Sequence, residues 1–227
     1  EIGSGLVGSE MCIRDRLCSG GGGRSDYEAL KYFTEFWPSD NTDPIERLFI
    51  QWGFSQVFPA KTMCAHVTTW NKNSSVKFRT DVAMMCKLGF DIKLADMSKD
   101  DETYCRTAVQ NYNRLKPVVL EGDMYRLVSP YGSNHTSTMY VGKDKDKAAV
   151  FAFDIHPRYA EKILPVRLQG LDADKMYRVK EINLMPGANS SLSGNGEVFS
   201  GEFLMNVGLN LFTAQQLNSR VIEVVAE

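Results

Sequence analysis

The sequence contains no long apolar segment, no block of one charge and no paired cysteine motif. Of its 227 residues 43% are hydrophobic, but no run approaches the roughly 20 apolar residues that a membrane helix needs. The formal net charge is -2, and no Lys/Arg block forms a basic patch, so we expect neither a nucleic acid nor a membrane surface as partner. This composition is typical of a soluble globular chain with a substantial core, and it favours a neutral ligand.

Sequence signals for metal, phosphate or thiol chemistry are also lacking. The five cysteines have no Cys-x-x-Cys spacing, and Cys64 and Cys86 lie among apolar residues, where a thiol packs as a small hydrophobe. The three histidines have no metal-ligand spacing. No Gly-x-Ser-x-Gly elbow occurs, and no Lys-Ser/Thr follows the glycine run to complete a phosphate-binding loop. We therefore predict no metal and no cofactor.

The first sixteen residues have neither a helical nor a strand period. From Leu6 to Arg16 they read Leu-Val-Gly-Ser-Glu-Met-Cys-Ile-Arg-Asp-Arg, which resembles the translation of a sequencing-library adapter. We interpret residues 1–16 as an artefactual leader, and a flexible native terminus is the alternative. A signal peptide is not expected, because acidic residues interrupt the segment and it has no apolar core of the required length.

Helical and strand patterns alternate up to Pro117. The clearest start signal is Asp43 as a helix N-cap, with Pro44 at the first helical position and Glu46 in the first turn. This alternation predicts a parallel sheet covered on both faces, and short apolar strands favour a barrel. The other predicted elements are a helix over Tyr27–Phe36, a strand over Thr62–Thr68, a helix over Phe78–Leu88 that Gly89 ends, and a helix over Lys99–Leu115 that Pro117 closes.

After Pro117 the pattern changes to short alternating runs separated by polar turns. This spacing is typical of an antiparallel β-sandwich. We therefore assign residues 17–117 to part of a barrel and residues 118–227 to a sandwich domain. The predicted strands contain Met124–Val128, Thr138–Val141, Ala148–Phe153, Met176–Val179 and Arg220–Val225.

Two segments of the first half carry candidate chemistry. The first, Cys18–Asp26, contains four consecutive glycines, which let backbone amides approach a ligand closely. The second, Trp37–Pro44, places an aromatic ring three residues before the carboxylate of Asp40. Asp43 is explained as the cap of the following helix, which leaves Asp40 free to face a pocket. Together the two segments predict a site that binds and cleaves a sugar.

These segments, and the chain from about Leu17 to its end, closely resemble the family 36 glycoside hydrolases, the microbial retaining α-galactosidases. The resemblance covers the C-terminal part of their catalytic (β/α)8 TIM barrel and the domain that follows it. It implies that Asp40 is the acid/base aspartate, that Trp37 lines the galactose subsite, and that Cys18 and Gly21 contact the sugar. The implied reaction is hydrolysis of terminal α-D-galactose from small oligosaccharides, with retention through a covalent galactosyl-enzyme. It also implies a homo-oligomeric parent enzyme.

One departure from the family pattern is important. The family's nucleophile lies in a Lys-Trp-Asp motif on an earlier strand, and this sequence contains no Lys-Trp-Asp. We therefore expect the chain to be a fragment whose nucleophile segment is missing. A partial barrel exposes strand edges and half of its core, so the isolated polypeptide is predicted to be poorly stable and inactive.

Other functions stay open at this point. A non-catalytic carbohydrate-binding or scaffold piece would use the aromatic faces of a sandwich, but it would leave the loop of Asp40 unexplained. An α-N-acetylgalactosaminidase or a galactosyl transferase on the same scaffold would use the same residues. The preferred galactoside, the acceptor, the compartment and the number of subunits are not determined by the sequence.

Overall fold

A computed structural model describes residues 16–18, 22–23, 25–69 and 73–227, which form a parallel part followed by an antiparallel part. Residues 1–15 of the predicted leader lie outside this range, as does Gly21. In the described part, no helix has both the length and the apolar content needed to cross a membrane.

The helices are α1 (Pro44–Phe54), α2 (Val76–Ala83), α3 (Lys99–Glu121) and α4 (Gly201–Asn206). The strands are β1 (Arg16–Leu17), β2 (Glu35–Phe36), β3 (Cys64–Thr68), β4 (Lys87–Asp91), β5 (Asp123–Val128), β6 (His135–Val141), β7 (Lys147–Asp154), β8 (Met176–Ile182), β9 (Val198–Ser200) and β10 (Asn218–Ala226).

The strands of the first half are parallel, as predicted. β1 pairs with β2, and β3 pairs with β4. A parallel bridge between Phe36 and Met63 joins the two pairs, so the strands follow one another in chain order. Their carboxyl ends therefore point toward one edge, which is the edge that carries the chemistry in barrel enzymes.

Helix α1 begins where the sequence predicts. The carboxylate of Asp43 accepts hydrogen bonds from the backbone N–H of Ile45 at 2.9 Å and of Glu46 at 3.2 Å, and Pro44 occupies the first turn. A cap of this kind contributes about 1 kcal/mol to helix stability. The predicted role of Asp43 is confirmed.

Two of the other predicted helices are wrong in position. Over Tyr27–Phe36 only Ala29–Lys31 form a 3-10 turn, and the chain then enters β2, because Phe36 is buried against the rings of Phe54 and Phe58. The helix predicted over Phe78–Leu88 is α2, which ends at Ala83.

Gly89 does not end that helix but lies inside β4. A Cβ at this position would lie 2.4 Å from the imidazole of His66 on β3. The glycine is therefore explained by a close contact between neighbouring strands and not by a helix terminus.

Pro117 does not end α3, which continues to Glu121. Proline removes one helical hydrogen bond and costs about 3 kcal/mol inside a helix. The next turn buries Val118 and Val119, and full burial of a valine contributes about 1.5 to 3 kcal/mol. The packing of these two side chains offsets the loss, so the helix continues through the proline.

The second half is a six-stranded antiparallel sheet in the order β5-β6-β7-β10-β8-β9. All five predicted strand segments lie within it. The sheet is buried on both faces: Phe151 and Phe153 of β7 join the core that contains α2 and α3, whereas Val150 and Ala152 join a second core. Among the residues that complete this second core are Leu168, Leu171, Leu204, Leu209 and Leu211.

A buried carboxylate joins the two halves. Asp81 of α2 is 0% exposed and accepts hydrogen bonds from the hydroxyl of Tyr104 on α3 at 2.8 Å, from the amide of Asn183 after β8 at 2.9 Å, and from the hydroxyl of Ser219 on β10 at 2.7 Å. The ammonium of Lys77 lies 2.5 Å from the same carboxylate and also donates to the carbonyl of Ser219 at 2.8 Å. One charged group thus fixes two helices against the sheet.

We predict that Asp81→Ala destabilises the 227-residue chain by about 3 to 5 kcal/mol, because it leaves the Lys77 ammonium and three donors without their acceptor. Urea denaturation followed by circular dichroism measures the change. Glu102→Gln is the matched control, since it breaks only the exposed pair with Arg106 and should change the free energy of unfolding by less than about 1 kcal/mol. Equal losses in the two variants would show that the Asp81 network does not hold the halves together.

Candidate active site

The two segments singled out in the sequence lie side by side at the carboxyl edge of the parallel strands. Leu17 is opposite Phe36 in the β1–β2 register, so Cys18 and Trp37 follow directly after paired residues. The backbone N–H of Trp37 also donates to the carbonyl of Leu17 at 3.0 Å. Cys18 is exposed and Trp37 is half-buried. The structure thus places two of the four predicted site residues next to each other.

The glycine run contacts the second segment through Gly22. This residue has a φ of +73°, and a Cβ here would lie 2.3 Å from the carbonyl oxygen of Pro38. Both the conformation and the contact require glycine. Gly21, the predicted sugar-contacting glycine, lies outside the described residues.

Asp40 lies exposed in the loop between β2 and α1. Its carboxylate accepts a hydrogen bond from the indole N–H of Trp37 at 2.8 Å. The three-residue spacing noted in the sequence is therefore a direct contact, in which the aromatic ring orients the candidate acid.

Arg47 holds the backbone on both sides of Asp40. It is 3% exposed, and its guanidinium donates to the carbonyl of Ser39 at 2.5 Å and to the carbonyl of Asn41 at 2.7 Å. A third, longer bond reaches the carbonyl of Cys64 in β3 at 3.4 Å. Sequence reasoning missed this residue, because Arg47 lies outside the apolar stripe that Ile45, Leu48 and Trp52 form along α1.

The same guanidinium lies over the indole of Trp37, with 4.7 Å between its central carbon and the ring centroid. A cation at this distance from an aromatic face is attracted by the ring quadrupole. Burial lowers the pKa of Arg47, and the charge of Asp40 is among the groups that oppose the shift. The guanidinium nevertheless stays charged, since arginine is not deprotonated in proteins. It therefore orders both the loop backbone and the indole.

Short-range polar contacts complete the loop. The hydroxyl of Ser39 accepts from the N–H of Asn41 at 3.1 Å, and the amide oxygen of Asn41 accepts from the N–H of Asp43 at 3.0 Å. The buried hydroxyls of Thr42 and Thr68 are 2.9 Å apart, which ties the loop to β3. Every residue neighbouring Asp40 in Ser-Asp-Asn-Thr-Asp is therefore engaged in holding the loop.

A second polar cluster lies on the strands, around Glu35 of β2. Its carboxylate pairs with Arg16 at 3.1 Å and with Lys87 at 2.8 Å. Burial raises the pKa of Glu35, but hydrogen bonds from Cys64, Lys87 and Arg16 outweigh it and lower the pKa overall. Arg16, the last residue of the predicted leader, is thus part of β1.

The two buried thiols near the site are unreactive, and the nearby imidazole packs against an aromatic ring. Burial raises the pKa of Cys64 to about 12, and that of Cys86 also to about 12, so both thiols stay protonated and unreactive. His66 packs edge-on against Trp37 with 4.9 Å between ring centroids, and burial lowers its pKa. Within the described ranges, no group of three or more His, Cys, Asp or Glu side chains could hold a metal ion.

Comparison with known families and proteins identifies relatives over most of the chain. The melibiase family model matches residues 5–122, and the model of the glycosyl hydrolase family 36 C-terminal domain matches residues 135–224. Alpha-galactosidase 2 of Hypocrea jecorina is 35% identical over 216 residues, which are 92% of this chain and 27% of that protein. The alpha-galactosidase AgaA of Geobacillus stearothermophilus is 32% identical over 78% of this chain and 25% of that protein. The chain thus spans about a quarter of the length of these relatives.

Solved structures show the same similarity. A variant of Geobacillus stearothermophilus AgaA in complex with stachyose superposes with a TM-score of 0.84 at 31% identity, over 95% of this chain and 29% of that chain. The galactosidase domain of the alpha-galactosidase-sucrose kinase AgaSK gives a TM-score of 0.83 at 29% identity, over 96% of this chain and 29% of that chain.

These similarities confirm the predicted fold class, which is the C-terminal part of a TIM barrel followed by an antiparallel β-sandwich domain. They also agree with the resemblance carried by the two site segments. The chain belongs to the melibiase family, with the C-terminal domain of glycosyl hydrolase family 36 over residues 135–224.

Proposed function

We propose that this chain supplies the acid/base side of the active site of a retaining α-galactosidase. The observation that carries the proposal is the position of Asp40, at the carboxyl edge of parallel strands, with its loop held by Arg47 and its carboxylate bonded to Trp37. The names of the relatives support the reaction, and two solved AgaA variants are complexes with raffinose and stachyose. The proposed substrates are oligosaccharides that carry terminal α-galactose.

In this proposal Asp40 donates a proton to the glycosidic oxygen as the bond to galactose breaks. A second carboxylate from the earlier part of the barrel, about 5 to 5.5 Å from the carboxyl group of Asp40, attacks the anomeric carbon, and a galactosyl-enzyme forms. Asp40, now a carboxylate, then takes a proton from the water that releases galactose. Trp37, Cys18 and Gly21 are proposed to contact the sugar.

The domain assignment accompanies this proposal. Residues 17–117 and the last turn of α3 form barrel, and the sheet that follows completes the family 36 C-terminal domain. The parent enzyme is proposed to be a homo-oligomer, and the adapter-like leader before Arg16 is proposed to have no part in the chemistry.

We predict that Asp40→Asn, in a complete enzyme that contains these residues, lowers kcat/KM for raffinose by about 100- to 10,000-fold. The loss for para-nitrophenyl α-galactoside should be much smaller, because para-nitrophenolate leaves without help from an acid. Asp43→Asn is the matched control, since asparagine is an equally good N-cap. Equal losses of Asp40→Asn on both substrates would remove Asp40 from the acid role.

We predict a weaker effect of the same kind for Arg47→Gln, because a neutral amide cannot hold both carbonyls that flank Asp40. Misplacing a catalytic group by about 1 Å costs about 100-fold in rate. The loss should again be larger for raffinose than for the activated galactoside, and Arg47→Lys should recover part of it. Arg106→Gln, which changes an exposed arginine of α3, is the control for a general loss of charge. If Arg47→Gln slows both substrates equally, the residue only stabilises the fold.

A further inference from the structure

The antiparallel sheet contains a buried carboxylate, Asp154, that fixes the orientation of a histidine. Asp154 is 1% exposed and accepts from the hydroxyl of Thr213 at 2.6 Å, from the N–H of Thr213 at 3.1 Å and from the amide of Asn218 at 2.9 Å. His135 Nδ1 lies 2.8 Å from the same carboxylate. A carboxylate surrounded by donors acts only as an acceptor, so Nδ1 of His135 carries the proton.

In the neutral imidazole, the other ring nitrogen of His135 is then a hydrogen-bond acceptor. His135 is 5% exposed, its imidazole stacks on the ring of Phe212 with 4.7 Å between centroids, and its Nε2 is buried without a hydrogen-bond partner in the described part of the chain. The carboxylate of Glu161 lies 3.9 Å from Nε2, beyond hydrogen-bond distance. A buried acceptor without a donor costs about 1 to 3 kcal/mol, and such groups in native structures usually have a reason.

Glu161 is a second acceptor held in place beside the first. Its carboxylate accepts from the N–H of Arg158 at 2.9 Å and from the amide of Asn134 at 3.1 and 3.2 Å. The N–H of Arg158, helped by Asn134 and opposed by burial, lowers the pKa of Glu161, so this carboxylate is charged at neutral pH. Two fixed acceptors 3.9 Å apart suit a ligand that brings two donors.

Both acceptors line an open cleft with mixed walls. Its apolar wall includes Phe212, the pair Leu127 and Val128, and the segment 163–166. The exposed side chains of Lys162 and Arg167 line the same cleft. Their positive charges disfavour a cationic ligand, whereas apolar walls with a few placed polar groups are typical of small-molecule sites.

We propose that this cleft is a saccharide-binding site, in which two neighbouring sugar hydroxyls donate to His135 Nε2 and to the carboxylate of Glu161. The apolar wall would take the C–H face of the sugar ring. The cleft shares no residue with the Asp40 loop, so it binds sugar independently of the proposed catalytic role.

Titration of the ¹⁵N-labelled 227-residue chain with melibiose tests the proposal. We expect saturable shifts of amide signals around 127–135, 158–169 and 212, with a dissociation constant in the millimolar range. Glu161→Gln should weaken this binding at least 10-fold, because its amide can donate to Nε2 and occupy the site. The same substitution should leave the melting temperature unchanged or higher, since it satisfies the buried acceptor.

Two control variants separate this site from the candidate active site. Glu202→Gln changes an exposed carboxylate of α4 and should not affect binding. Asp40→Asn should leave the shifts at the cleft unchanged. Shifts confined to residues 18–47 and lost in Asp40→Asn would overturn the proposal, as would a Glu161→Gln variant that binds as tightly as the parent, or the absence of saturable shifts at the cleft.

The tautomer gives an independent measurement that needs no variant. In the complex with melibiose, the ¹⁵N signals of the His135 ring should show a protonated Nδ1 and an unprotonated Nε2. Melibiose should shift the Nε2 signal as it becomes hydrogen-bonded. A protonated Nε2, or an Nε2 signal that does not respond to the sugar, would also overturn the proposal.

Discussion

The need to satisfy a carboxylate buried away from water is the constraint on which the rest of this structure depends. A charge in the interior is tolerated only when donors surround it, and the donors around Asp81 come from α2, α3, β10 and the segment after β8. These elements are therefore brought together at one point. The hydroxyl of Tyr140 in β6, which donates to the carbonyl of Met85 at 2.8 Å, adds a second tie between the sheet and the parallel strands. The position of the parallel strands, whose carboxyl edge carries Asp40, thus depends on contacts with the antiparallel sheet, which lies far away in the sequence.

The candidate active site repeats this arrangement with the opposite charge. Arg47 is a buried cation whose partners are backbone carbonyls on both sides of Asp40. Carbonyls satisfy the guanidinium without neutralising it, so a positive charge remains next to the carboxylate. The loop conformation consequently depends on α1, and α1 in turn begins at Asp43 in the same loop. The Asp43 cap and the hydrogen bonds of Arg47 therefore depend on each other: the loop starts the helix, and the helix holds the loop.

Features that depend on neighbouring residues in the sequence were predictable, and features that depend on distant contacts were not. The cap at Asp43 and the strands of the second half follow from local patterns, and both are confirmed. The helix expected over Tyr27–Phe36 was wrong because Phe36 packs on rings that lie 18 and 22 residues further along the chain. Gly89 was misassigned because its reason is His66, on the neighbouring strand. In the site, the pairing of Trp37 with Asp40 was within reach of a spacing argument, whereas the role of Arg47 required knowing where β3 and the loop lie.

Gly22 has a consequence for how this protein can vary. The backbone at this position sits so close to Pro38 that the space between the two segments is set by the absence of a single carbon atom. Any other side chain at position 22 would push on Pro38. Because Asp40 is only two residues after Pro38, we expect its carboxylate to shift as well. Substitutions along the glycine run would therefore change the position of the Asp40 loop by graded amounts. The larger the side chain that replaces a glycine, the further we expect it to displace this loop.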